Sequence, residues 1–149
     1  MKHYSTDDAT NQDFKPHGKI SFNVIDDNVI LYRPVGPFNQ ELAKALAEVE
    51  SRFLHEKYSS NCEWVEVVLF EGPCVALGEF FSEFSSYLLK MKKKELLPLA
   101  SAFVFSQDAE SPDFMKKRYA QSYHDAGIPF SVFNNADKAL SWAKQHLNQ

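Results

Sequence analysis

The 149-residue chain is 44% hydrophobic and 14% aromatic, with thirteen Phe, which excludes an intrinsically disordered regulator; seven Pro and five Gly exclude collagen-like and low-complexity chains. Its 16 basic and 20 acidic side chains give a formal charge of −4, which argues against a general nucleic-acid binder, since neutralising phosphates takes basic residues. The length suits one domain with a real core, and no apolar run approaches the ~20 residues of a membrane span.

Met1 to His17 is polar and unpatterned, with almost nothing to bury, and reads as a flexible tail ahead of a single domain over 18–149. No apolar segment follows Lys2, so no secretory signal is expected and the chain is read as cytoplasmic. Lys19 to Val24 alternates apolar and polar residues, the mark of a half-buried strand. Asp26-Asp27-Asn28 is a turn signal, and Val29 to Tyr32 completes an antiparallel hairpin that Pro34 is expected to break.

Asn39 is placed to cap a helix from about Gln40 to Lys57, in which Leu42, Leu46, Val49 and Phe53 form the apolar stripe. Glu63 to Phe70 is almost continuously apolar, as in a parallel strand covered on both faces; Glu66 within it is expected at an uncovered position, the alternative being a buried carboxylate with a raised pKa. A second helix is expected over about Val75 to Lys93, with Leu77, Phe81, Phe84, Leu88 and Met91 facing inward. Leu99 to Phe105 is the next strand. Ser111-Pro112-Asp113 starts a third helix that Gly127 closes in a left-handed C-cap. Ile128 to Phe133 is an edge strand, because Pro129 has no ladder donor, and Asn134-Asn135 caps a last helix bearing Ala139, Leu140, Ala143 and Leu147. The fold class is therefore α/β, β-β-α-β-α-β-α-β-α, with an N-terminal antiparallel hairpin leading into a mostly parallel sheet.

Three stretches carry a family resemblance: Val35-Gly-Pro-Phe-Asn39, Trp64-Val-Glu-Val-Val-Leu69, and Ala126-Gly-Ile-Pro-Phe-Ser-Val-Phe133 running into Asn135-Ala-Asp-Lys-Ala-Leu-Ser-Trp142. Together they resemble the STAS fold, the sulfate-transporter and anti-sigma-antagonist domain, and most of all the SpoIIAA-like, or STAS/SEC14-type, small bacterial proteins. The resemblance implies a SpoIIAA-like fold over roughly Gly18 to Leu147, and its motifs are structural rather than catalytic. Anti-sigma antagonists of this type carry a phosphorylatable Ser or Thr where the second helix begins. Here Phe70 to Glu79 holds no hydroxyl, and Ser82 falls well inside the expected helix, which argues against a phosphoswitch.

Ligands of parallel α/β sheets bind at the carboxyl ends of strands, so Gly36, Pro37, Phe38 and Asn39 with Glu71, Gly72, Pro73 and Cys74 form the candidate ligand or partner rim. Cys62 and Cys74 make no C-x-x-C pair, and both are expected to be reduced thiols. His124 and Cys74 are expected far apart, and no catalytic triad, zinc or phosphate-loop signature is present, so no enzyme, cofactor or metal is expected. Lys116, Lys117 and Arg118 read as a solvated face, or as an anion patch if Lys92 to Lys94 come close.

Aromatic residues of the second helix cover more of its circumference than one core stripe needs, so Phe80, Phe84 and Tyr87 are the candidate interface of a homodimer. The sequence thus points to a non-enzymatic regulatory domain acting on an unknown protein partner. The alternatives are a small-molecule or lipid-binding module with an aromatic pocket, and a Cys74-dependent enzyme.

Overall fold

The computed structural model describes residues 2–10, 15–58, 62–105 and 113–148. The described strands form one sheet whose spatial order follows the sequence: β1 (Tyr4–Ser5), β2 (Lys19–Val24), β3 (Val29–Val35), β4 (Val65–Leu69), β5 (Ser101–Val104) and β6 (Phe130–Phe133). β1, β2 and β3 pair antiparallel; β3 through β6 pair parallel.

Helix α1 (Gln40–Lys57) links β3 to β4, α2 (Phe80–Lys93) links β4 to β5, and α3 (Asp113–Asp125) links β5 to β6. Each crossover steps to the next strand in the same direction, so right-handed connections bring all three helices to one face. There Phe22, Tyr32, Val68 and Phe103 meet Leu46, Phe84 and Tyr123 in the larger core. The chain then turns back, and α4 (Ala136–Gln145) lies against β4 and β5 on the opposite face, where Ala139 and Ala143 meet Val65, Val67 and Ala102. The central strand is covered on both sides, as its apolar run predicts.

The local signals explain these boundaries. Asn39 Oδ1 accepts from Leu42 N at 2.9 Å, and Asn135 Oδ1 accepts from Lys138 N at 2.9 Å, so both helices begin on a side-chain cap. Gly127 ends α3 at φ +79°, with its N–H on His124 O and that of Ile128 on Tyr123 O, satisfying the last carbonyls. Asp27 takes the left-handed conformation (φ 45°) between β2 and β3. The expected start of α3 at Ser111-Pro112 lies outside the described residues.

Three local expectations are corrected. The N-terminal segment has material to bury. Tyr4 stacks on Phe22 at 5.2 Å and meets Phe53 at 4.5 Å, while Thr6 is buried with Oγ1 accepting from Ile20 N. Pro34 does not stop β3; it lies opposite Ile20 near the strand's end, and its carbonyl accepts from Glu71 N. Helix α2 starts five residues later than expected, since Ala76 bridges Phe38 and Gly78 turns at φ +50°. Leu77 therefore precedes the helix and is exposed, and Ser82 falls in its first turn, also exposed.

Candidate functional site

The two loops of the candidate rim do come together. Gly36 N donates to Pro73 O at 2.8 Å, Phe38 N to Val75 O at 2.9 Å and Leu77 N to Phe38 O at 2.7 Å, stitching one loop to the other. The Gly36–Pro37 peptide is cis. A Cβ on Gly36 would sit 2.5 Å from Pro73 O, so this close approach needs glycine. Asn39 caps α1 and also accepts from His17 N. Glu71 is exposed and forms a 3.8 Å ion pair with Arg33. Phe38 and Cys74 are buried, and the Cys74 carbonyl accepts from Tyr119 Oη at 2.7 Å. His124 is exposed while Cys74 has no exposed surface, so the two share no common face to water. These loops form a hydrogen-bonded end of the core, with the Cys74 side chain packed as a small hydrophobe.

The aromatic residues of α2 are corrected more sharply. Phe80, Phe84 and Tyr87 are only 2%, 7% and 6% exposed, so none of them offers a surface to a second copy. Their second surface is internal: Phe80 and Phe81 pack on Tyr119, and Phe84 on Tyr123, both from α3. Nor do the basic clusters merge. Lys92 approaches Gly127 at the C-terminal end of α3, whereas Lys116 and Arg118 lie near its start, over the rings of Phe105 and Phe81. About ten helical residues, or roughly 15 Å, separate them.

Below the α1–α3 layer lies a cavity of about 50 Å³, walled by apolar side chains of all three helices and of the strands beneath. Its walls are buried, with Leu97 half-buried. Two carboxylates stand in this wall. Glu66 comes from β4, on the same face as Val68; Glu50 comes from α1, one turn from both Leu46 and Leu54. They are 7% and 8% exposed, which corrects the expectation that Glu66 is uncovered.

Tyrosines from three elements serve the pair. Tyr87 Oη donates to Glu50 Oε1 at 2.5 Å, Tyr32 Oη donates to Glu50 Oε2, and Tyr123 Oη donates to Glu66 Oε1 at 2.7 Å. Ser101 lies beside Glu66 in the register of β4 and β5, fully buried, and its Oγ makes no hydrogen bond of good geometry although it is near enough to soften the charge on Glu66.

Burial pushes the Glu66 carboxyl up to about 8, and Glu50 adds to the rise; Tyr123 and Ser101 oppose it. Burial also raises Glu50, against the bonds from Tyr32 and Tyr87. The same burial, reinforced by the carboxylates, holds Tyr32, Tyr87 and Tyr123 well above the ordinary tyrosine range. In one apolar space burial favours the protonated form of both acids, Glu66 the more clearly.

Of this cluster, a buried Glu66 and an aromatic pocket are the alternatives that the sequence offers, while Glu50 and the tyrosine partners are missed by its patterning. Glu50 sits on the apolar stripe of α1, at i+4 from Leu46 and i−4 from Leu54, and Glu66 interrupts an apolar strand; an acid on a buried stripe is the signal. Among the described residues, no group of three His, Cys, Asp or Glu side chains is arranged to hold a metal ion, and no helix is long and apolar enough to cross a membrane.

No protein-family model matches the chain, and no curated protein matches it by sequence. The fold does match a solved structure: an uncharacterized protein from the DUF3478 family with a SpoIIAA-like fold, from Shewanella loihica PV-4. The two share 14% identity at a TM-score of 0.60, over 90% of this chain and 99% of that one. The chain has a SpoIIAA-like fold, as its strand and loop motifs imply.

Proposed function

We propose that this protein is a non-enzymatic small-molecule-binding domain whose guest occupies the cavity beneath α1, α2 and α3. One observation carries the reading: an apolar interior space into which two carboxylates and their tyrosines project. A core selected only for stability would fill such a space with apolar side chains, because buried acids cost free energy. Specific sites have apolar walls with a few placed polar groups.

The size of the cavity narrows the guest. A space of about 50 Å³ suits a small guest better than a lipid chain. Regulation follows from the walls: α2 supplies Phe84, Tyr87 and Met91, so a guest that fills the space stiffens that helix, and a protein partner would read its outer face. Native mass spectrometry of protein purified from its own cells, before and after addition of a small-molecule panel, tests the reading. Added mass that vanishes on denaturation is expected; a bare mass throughout contradicts it.

A further inference from the structure

We propose that the guest is a small primary amine, bound as its ammonium between Glu50 and Glu66. The inference rests on the ligand-binding reading above and names the chemistry of the guest.

The argument is an inventory of donors and acceptors. Four tyrosines line the cavity, and each has a single O–H donor. Tyr32 and Tyr87 give theirs to Glu50, Tyr123 gives its to Glu66, and Tyr119 gives its to the Cys74 carbonyl. Trp64, also in the wall, donates Nε1–H to Leu96 O at 3.1 Å. Apart from the exchangeable proton on the carboxyl pair, what the aromatic wall leaves for a guest is acceptor capacity, on carboxyl and phenol oxygens. A guest that displaces that proton must itself donate.

Charge gives the same answer. Two buried carboxylates are stable together only with a positive charge or bound protons between them. The groups facing Glu66 from the surrounding elements are Glu50 on α1, Tyr32 on β3, Ser101 on β5, Tyr87 on α2 and Tyr123 on α3, and none is a cation. Ser101 Oγ, fully buried and without a well-formed bond, adds an unsatisfied polar atom beside Glu66. The remaining wall is aromatic, and ring faces attract an ammonium group. An ammonium therefore replaces a proton held by the carboxylate pair, and that proton leaves to solvent.

The test is calorimetric titration of the full chain with n-propylamine hydrochloride and with its neutral isostere n-propanol, at pH 6, 7 and 9. The amine is expected to bind at least tenfold more tightly than the alcohol. Its affinity should rise about tenfold from pH 6 to pH 7 and level off toward pH 9, since ammonium and proton compete. Heats at pH 7 should vary with the ionisation heat of the buffer, reporting released protons in the wild-type protein alone. Glu66→Gln, which keeps the shape of the side chain, should lose the preference for the amine. Propanol binding as well as propylamine overturns the ammonium and leaves the ligand-binding reading standing. Failure of both probes to bind overturns both.

Discussion

Tyr123 in α3 donates its phenolic proton to Glu66 in β4, 57 residues earlier in the chain, at 2.7 Å. That bond ties the third crossover helix to the central strand through the middle of the core. It also gives a buried acid a partner without giving it a compensating charge, which is why burial still dominates its ionisation.

The first prediction concerns pH. The folded state holds the Glu66 proton up to about pH 8, whereas an unfolded glutamate releases it near its ordinary value, 4.5. Between those values the native state binds more protons than the unfolded one, so stability falls as pH rises and the loss is complete above pH 8. Linkage puts the loss at about 5 kcal/mol at most. Glu66→Gln should thus be more stable than wild type at pH 9 and within about 1 kcal/mol of it at pH 5. Urea unfolding at the two pH values checks this.

Glu50 depends on its two phenols. Tyr87→Phe removes the 2.5 Å donor and should cost about 1–3 kcal/mol at neutral pH. Combined with Tyr32→Phe, the loss should exceed the sum of the single changes, because the last hydroxyl donor is then gone. Chemical denaturation of the three variants supplies the cycle.

The stitched loops give a contrast between glycines. Gly36→Ala places a methyl group 2.5 Å from the Pro73 carbonyl, a backbone atom that cannot swing aside. A loss of about 2 kcal/mol or more is expected. Gly78→Ala meets no atom within 4 Å and bears only the φ +50° backbone, so about 1 kcal/mol is expected. Thermal unfolding should rank the two in that order.

The cysteines separate by burial. Cys62 is exposed and Cys74 is buried, and neither forms a disulfide. A bulky thiol reagent should label one thiol in the native chain and two after unfolding. Rapid native labelling of both would show that the loops open readily.

Much of the fold was legible in the sequence. The alternation in β2, the apolar run of β4 and the caps Asn39 and Asn135 are local signals, and they appear where the pattern puts them. The start of α2 was not legible, because Val75 to Glu79 is held extended and turned by pairing with the loop at Phe38, a contact between distant residues. Tyr4 was missed for a like reason: its burial depends on Phe22 and Phe53, and nothing nearby in the chain announces it. The aromatic excess of α2 does mark a second surface, but an internal one that lines a pocket rather than a face for a second copy. The helix packs sideways on α3 as well as down on the sheet, so a wide apolar arc is all core. Exposure is the ordinary place for a lone carboxylate in a strand; the Tyr123 hydroxyl, from a distant element, gives Glu66 its hydrogen-bond partner in the core.

The central claim is that the interior cavity admits a guest, and methionine methyl resonances test it most directly. Met91 lines the cavity, whereas Met115 is buried outside its wall. Titration of methyl-labelled protein with n-propylamine and n-propanol should shift the Met91 signal saturably and leave Met115 in place. A Met91 resonance that stays fixed through the full titration with both probes would contradict the account.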